Sequence, residues 1–366
     1  MKLYDYSGVI HLHSVFSFDG RDSIPDILAA AKENGLDFLM LTDHENLGAR
    51  DAGFEGWQGD TLLIVGQEIT PDRFNHYLAF DIQEPISGEG CTPQQVIDRV
   101  QAQGGFGFIA HPDHEGTKMF HVKPFPWIDW KASGYAGFGV WDFMTDWQSV
   151  LTSYPRALAS YFWPALFLRG PRNVTLKRWD DLNRTSRVVG IGELDNHNTR
   201  KKLFGICFDI FPFRKVFRFI HTHIMTEQPL KKRPSEDKKT LFEALKKGRV
   251  YISQDYYCLA KGFSFVIENG RERATMGDDI TLRSKAALRV DLPKRGKIKI
   301  MKNGNIYKEV VENAADCLIT ECGVYRIEVS LKVFGKYRPW IFSNPIRVIR
   351  GEEDRTAGSK EKEKSY

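Results

Sequence analysis

Cysteine is scarce in this chain, and the little there is does not form a framework. Its 366 residues include five, Cys91, Cys207, Cys258, Cys317 and Cys322. An odd number with no C-x-x-C spacing excludes a disulfide-stapled fold and a cysteine-ligated zinc site. No basic segment followed by an apolar run opens the chain, so no secretory signal is expected. Long apolar runs are missing too. The best candidate, "ALASYFWPALFL" at 157–168, falls short of the ~20 residues a spanning helix needs and is interrupted by Pro164. Beyond a short "KKRP" at 231–234 there is no basic stripe of the kind that tracks a nucleic-acid backbone. These absences lead to the expectation of a reduced, cytoplasmic protein acting on a small molecule, with a homo-oligomer left open.

The residues that are present describe an ordinary folded chain. Hydrophobic residues make up 42% and charged residues 27%, which excludes disorder as the dominant state. The length allows two cores. A net charge of +5 favours anionic partners such as phosphate esters without demanding a polyanion.

Up to about residue 255, short apolar runs alternate with helix-length segments. "GVIHLH", "FLMLTDH", "TLLIVGQEI", "NHYLAFDI", "FGFIAHP", "FGVWDFM" and "RVVGIGELD" read as strands. "SIPDILAAAKENG" reads as a helix capped by Ser23, and "TPQQVIDRVQAQGG" as one capped by Thr92 with Pro93 at its first position. This alternation predicts a parallel sheet, open or closed into a barrel. From 256 to 350 the helical period disappears. Short strands and turns, with Asn303-Gly304 as a hairpin signal, predict a small β-sandwich. The charged end, 351–366, is expected to be a disordered tail.

The chemistry-bearing residues recur at one place in this pattern. His11 and His13, Asp43 and His44, Glu68, His111, and Asp195 with His197 fall at the carboxyl ends of successive strands; His76 starts the fourth. Ligands bind at that end of parallel α/β sheets. Residues two apart on a strand share a face, so His11/His13 and Asp195/His197 can each converge on one point. Singly, each has an ordinary role as a core histidine, a cap or half of a salt bridge. Gathered at one sheet end without a cation, they would suffer desolvation and mutual repulsion. Imidazole and carboxylate are natural ligands of zinc, manganese or iron, so a multi-metal site is expected.

"HLHS…FDG", "TDH", "GQEI", "NHY", "AHP" and "DNH", in this order over roughly residues 8–200, resemble the PHP (polymerase and histidinol phosphatase) superfamily. The resemblance implies a distorted (βα)7 barrel followed here by a small all-β sandwich domain, and three divalent metal ions (Zn, Mn or Fe). It implies one metal held by His11, His13, Glu68 and Asp195. A second would be held by Glu68, His76 and His111, and a third by Asp19, His44 and His197. Glu68, Asp195 and His197 would be the catalytic core of a phosphoesterase in which a hydroxide formed on the metals attacks phosphorus. Asp19 stands where some members have His, which shifts preference toward a harder metal. Glu193, two residues before Asp195, is expected to support the ligands from behind. Arg21 and Arg200 are candidates for gripping a phosphate. Asp43 and Glu45 are candidates for protonating the leaving group.

The domain at 1–255 would carry an aromatic-rich insertion at about 115–175, either a wall or lid over the metals, a dimer surface, or a packed subdomain. The segment "LKKGRVYIS" and the trailing β-module are similar to the PHP branch that includes carbamate-ester hydrolases. An aryl ester or carbamate hydrolase, and a catalytically silent metal-stabilised binding module, are therefore the rival readings. His221 and His223 repeat the H-x-H spacing, but apolar neighbours and no following carboxylate make them core or edge-strand histidines.

Overall fold

The computed structural model describes residues 2–71, 73–203 and 205–350; the charged tail at 351–366 lies outside the described residues. Its fold is mixed α/β, with one large sheet continuing into a strand-rich C-terminal region. Strand β1 (Tyr4–Ile10) leads into helix α1 (Ile24–Glu33), which the Ser23 hydroxyl caps by accepting the Asp26 N–H. Next come β2 (Phe38–His44), the short helix α2 (Gly48–Asp51), β3 (Gly56–Gln58), β4 (Thr61–Ile69) and β5 (Tyr77–Phe80). Helix α3 (Pro93–Ala102) starts in a capping box formed by Thr92 and Gln95 and feeds β6 (Phe106–Ile109). The strand β7 (Gly137–Asp142) is followed by α4 (Phe143–Ser149), α5 (Tyr154–Phe162), α6 (Pro164–Phe167) and α7 (Asn173–Asn183), and then by β8 (Val189–Glu193).

Pairing is parallel at β1–β2, β2–β4, β6–β7 and β7–β8, but antiparallel at β4–β5 and β5–β6. The sheet is therefore mixed, not parallel throughout as the alternation predicts. The connection at 70–76 is too short for the crossover of about a dozen residues that a parallel partner requires, so β5 must return antiparallel. Past β8 the chain bonds back onto the end of β1. Leu194 N–H donates to Ile10 O at 3.2 Å, Asp195 N–H to His11 O at 2.9 Å, and His13 N–H to Asn196 O at 3.1 Å. The two ends of the strand run are thus stitched together at the carboxyl end.

Alternation along the strands separates two apolar layers. Leu39, Leu41, Leu63 and Val65 pack outward with Ile27 and Ala31 of α1, Val96 and Val100 of α3, and Trp179 of α7. Phe38, Met40, Leu62, Ile64 and Phe108 pack inward. A strand buried on both faces reads as an unbroken apolar run, which is why these segments stand out in the sequence.

After the β9 (Arg200–Leu203)–β10 (Ile206–Asp209) hairpin and α8 (Phe213–Val216), strand β11 (Ile220–Thr226) lies antiparallel against β1. Helix α9 (Pro234–Lys247) inserts Leu241, Phe242 and Leu245 into the inner layer, and β12 (Val250–Gln254) pairs with β11. The C-terminal region comprises β13 (Ser264–Glu268), β14 (Arg273–Thr275), β15 (Asp279–Leu282), β16 (Ala286–Lys302), β17 (Asn305–Ile319), β18 (Gly323–Val333), β19 (Lys336–Ser343) and β20 (Ile346–Arg350). Asn303 and Gly304, both at positive φ, turn β16 into β17 as a two-residue loop demands. Phe265, Leu288, Ile298, Ile327 and Trp340 form the centre of a second core.

Two polar links lock this region to the first. The Arg326 guanidinium grips Asp180 of α7 with two hydrogen bonds of 2.6 and 2.7 Å, both residues being buried. The Asn344 amide exchanges two 2.8 Å hydrogen bonds with the backbone of Gly190 in β8. Among the described residues no helix is long and apolar enough to cross a membrane.

Candidate metal centre

Strand ends bring eight of the nine donors together, and the loop between β1 and α1 adds the partly exposed Asp19. His11 and His13 leave β1, His44 ends β2, Glu68 lies near the end of β4, and His76 precedes β5. His111 follows β6, and Asp195 and His197 follow β8. Three of these residues, His11, His111 and Asp195, have left-handed backbone (φ 69°, 26° and 51°). Non-glycine residues are held in that region only where surrounding structure over-determines them, and such strain clusters at functional sites.

Glu68 sits at the centre. Its Oε2 lies 3.1 Å from His11 Nε2, 3.2 Å from His13 Nε2 and 3.6 Å from His44 Nδ1. Its Oε1 lies 2.7 Å from His76 Nδ1 and 3.3 Å from His111 Nε2. Asp195 Oδ1 is 3.3 Å from His11 Nε2 and 3.6 Å from His13 Nε2. Asp19 Oδ2 lies 3.3 Å from His44 Nε2 and 3.2 Å from His197 Nε2. The donors form three overlapping sets, each compact enough to surround one ion: His11, His13, Glu68 and Asp195; Glu68, His76 and His111; and His13, Asp19, His44 and His197.

These spacings bear on whether the groups hydrogen-bond or coordinate. Charge-assisted N–H···O⁻ bonds run about 2.7–2.9 Å. Two donors each 2.0–2.2 Å from a tetrahedral ion lie about 3.3–3.6 Å apart by geometry. The His76–Glu68 contact alone has the length of a charge-assisted bond; the others fall between 3.1 and 3.6 Å, the shorter of them at the long end of ordinary hydrogen bonds. The buried Nε2 of His76 and Nδ1 of His111 have no hydrogen-bond partner. The donor set therefore fits divalent cations. Burial alone would raise the Glu68 carboxyl, yet the imidazoles of His11, His44 and His76 hold it well below the usual range. Burial likewise opposes ionisation of Asp195, and His11, His13 and His197 overcome it.

A supporting layer fixes these groups. Glu193 accepts from His11 Nδ1 at 2.8 Å and from the His111 backbone N–H at 3.1 Å, which commits Nδ1 and leaves His11 Nε2 facing Glu68. The Ser17 hydroxyl donates to Asp19 Oδ1 at 2.8 Å. Asp43 accepts from the backbone and hydroxyl of Ser14 at 2.6 and 2.7 Å, clamping the loop between His13 and Asp19. Glu45 accepts from Gly88 N–H at 2.9 Å. Both carboxylates suggested for leaving-group protonation thus hold loops. The roles of Ser14 and Ser17 escape sequence reasoning, because a serine in a loop carries no signal of its partner. Glu193 is visible through strand alternation.

Arg21 and Arg200 are not brought into the cluster. Arg21 meets Asp209 at 2.9 Å, and Arg200 grips the same carboxylate at 2.7 and 3.1 Å. A cavity of about 310 Å³ opens beside the donors instead. Asp19, Asp195 and His197 form one side, and Phe120, Phe125, Trp147, Leu151, Leu158 and Tyr161 much of the other. Lys201 is the cationic side chain among its described lining residues. His114, also in the lining, accepts the Phe125 N–H at Nδ1 and faces Gln148 through Nε2; burial pushes it down to about 4, so it is neutral. The aromatic stretch at 115–175 therefore serves two ends. β7 lies within it as a strand of the sheet, while its helices supply the cavity wall.

Imidazoles and carboxylates collected at one end of a mixed sheet form candidate metal-binding groups. Residues 10–126 match the family model of the PHP domain. It is 26% identical over 115 residues to an uncharacterized protein of Methanocaldococcus jannaschii, covering 28% of this chain and 66% of that one. Over 66 residues it is 38% identical to the error-prone DNA polymerase of Symbiobacterium thermophilum, covering 16% of this chain and 6% of the polymerase. The match thus spans less than two thirds of either relative. A two-domain protein from Bacteroides vulgatus, containing a predicted PHP-like metal-dependent phosphoesterase, is similar over 94% of this chain and 95% of its own, at 16% identity and a TM-score of 0.46. An amidohydrolase from Chromobacterium violaceum, solved with bound sulfate and no metal, is similar over 56% and 92%, at 15% identity and a TM-score of 0.31.

Proposed function

We infer that the chain is a metal-dependent phosphoesterase with a three-cation centre, acting on a small ester whose leaving group is apolar or aromatic. The observation that carries this reading is the overlap of the three donor sets, with Glu68 common to two and His13 common to two. Divalent cations (Zn, Mn or Fe) held there would acidify a water toward neutral pH and offset charge on the phosphoryl oxygens. Glu68 would join two of them, Asp195 would complete the first set, and His197 with Asp19 would hold the third. Glu193 keeps His11 in the tautomer that presents Nε2. The cavity beside the cluster suits an aryl or alkyl group, and Lys201 suits its anionic end. Phe125 and Trp147 keep bulk water from that side. In this reading β1, β2, β4, β5, β6, β7 and β8 are the distorted seven-membered barrel. Residues 1–255 are then the hydrolase domain and 256–350 its β-sandwich.

The test is a substrate panel with the Mn²⁺- or Zn²⁺-loaded protein: 1-naphthyl phosphate, methyl phosphate, bis(p-nitrophenyl) phosphate and 1-naphthyl carbamate. Phosphate release, faster for the naphthyl than for the methyl ester and abolished by chelation or by Glu68→Ala, is expected. Cleavage of the carbamate alone would replace the phosphoester reading with the carbonyl one. Full metal occupancy with no hydrolysis would leave a metal-stabilised binding module.

A further inference from the structure

A second convergence of donors lies outside the nine. Strand β11 is sandwiched between β1 and β12, and His223 stands opposite Ser7 on one side and Tyr251 on the other. His221 stands opposite Ser253, and Asp255 follows β12. His221, His223, Ser253, Tyr251 and Asp255 are all buried. The following carboxylate that the sequence does not place beside the H-x-H pair is supplied from the neighbouring strand.

The hydrogen bonds fix which ring nitrogens carry protons. His221 Nε2 lies 2.7 Å from the Phe217 carbonyl oxygen, which can only accept, so this nitrogen donates. His223 Nδ1 lies 2.8 Å from Asp5 Oδ1, whose other oxygen accepts the Tyr251 hydroxyl at 2.6 Å, so it too donates. In neutral imidazoles this leaves lone pairs on His221 Nδ1 and His223 Nε2. Both face the same atom, Asp255 Oδ2, at 3.3 and 3.6 Å. His223 Nε2 is buried without a hydrogen-bond partner, as is the Ser253 hydroxyl. The other Asp255 oxygen is held by the Ala260 N–H at 3.1 Å, and Ser7 Oγ lies 2.9 Å from His221 Nδ1.

The Ser7 hydroxyl can serve His221 Nδ1, but a neutral His223 Nε2 and Asp255 Oδ2 face each other at 3.6 Å as two lone-pair atoms at one buried point, and a cation between them relieves that repulsion. We propose that His221 Nδ1, His223 Nε2 and Asp255 Oδ2 form a further binding site for a divalent cation of the zinc type, with Ser7 Oγ as the nearest additional oxygen. The atoms lie within 4.8 Å of one another, and the two imidazole–carboxylate spacings match the edges of a tetrahedron about 2.0–2.2 Å in radius. Each ring's other nitrogen donates to a carbonyl or a carboxylate, the usual orienting arrangement behind a metal-binding histidine. With every donor buried, this is a closed, structural site. It would tie β1, β11 and the end of β12 together beneath the second core.

The competing occupant is an extra proton on His223 Nε2, making that imidazole cationic between Asp5 and Asp255 while the Ser7 hydroxyl serves His221 Nδ1. Zn²⁺-soaked crystals of the full chain, measured on both sides of the zinc absorption edge, separate the two. An anomalous peak between His221, His223 and Asp255 is expected. Peaks at the Glu68 cluster with none here would overturn this site alone; no peak at either would overturn both. In solution, a Glu68→Ala chain loaded with Co²⁺ should lose one equivalent of metal, and the matching part of its visible d–d band, on a further His223→Gln or Asp255→Asn. An unchanged band and metal content in a folded double variant would refute the assignment.

Discussion

Glu193 shows how one side chain can govern a site it does not face directly. It ties His11 and the backbone of His111 together from behind the cluster. Glu193→Gln keeps the shape but converts one accepting oxygen into a donor, so one of the two partners is lost. The fold should persist, while metal affinity or kcat/KM falls by about 10–100-fold, as measured by metal titration and steady-state kinetics. Asp146 gives a pH-dependent counterpart. Burial pushes its carboxyl up to about 6, against hydrogen bonds from the Arg169 and Gly170 backbone and the Trp141 indole. A carboxyl raised in the folded state binds its proton more tightly there than when unfolded. Its contribution to stability is full below the unfolded value of 3.8 and is lost as pH rises through about 6. In denaturant unfolding at both ends of that window, the advantage of wild type over Asp146→Asn should shrink by on the order of 3 kcal/mol. The residues of the three candidate donor sets stood out in the sequence because all but Asp19 sit in short patterns at or beside strand ends. The partner of Arg21 did not, because no local spacing reveals that Asp209, opposite Arg200 in the β9–β10 hairpin, meets both guanidinium groups.

At the scale of elements, the apolar runs and caps located most strands and helices, and the order of strand ends located the cluster. Direction was harder: only the length of the 70–76 connection shows that β5 must run backwards. The aromatic stretch was harder still, since Trp141 inside β7 and Trp147 in the cavity wall look alike in sequence. β7 also makes room for the cluster. A Cβ at Gly139 would lie 1.1 Å from Glu193 Oε1, and the next nearest atoms belong to the same carboxylate side chain. Gly139→Ala should therefore displace Glu193. A stability loss of about 1–3 kcal/mol is expected from overpacking, together with a fall in activity at saturating metal larger than that loss explains. Thermal unfolding and kinetics on the same preparation would separate the two.

At the scale of the whole molecule, the two cores are coupled through buried polar contacts. Arg326 and Asp180 are nearly fully buried, and Arg326 also donates to Glu328 Oε1 at 2.7 Å, whereas Asp180 has only the two bonds from Arg326 among the hydrogen bonds of the described residues. Arg326→Ala leaves a buried carboxylate uncompensated and should cost about 3–5 kcal/mol in unfolding free energy. The double replacement Arg326→Met with Asp180→Leu should recover much of that, because it removes both charges. This coupling could not be read from the sequence, where the two residues stand far apart and each resembles a solvated charge.

The Asn344 amide occupies the place a neighbouring strand would take beside Gly190, supplying one donor and one acceptor in ladder geometry. Three residues along the same strand lies Glu193, and two beyond that Asp195. The C-terminal region thus acts as a splint on the segment that aims these two carboxylates. A shortened chain ending at β12 would lose the splint, and with it the alignment on which the first set of donors depends.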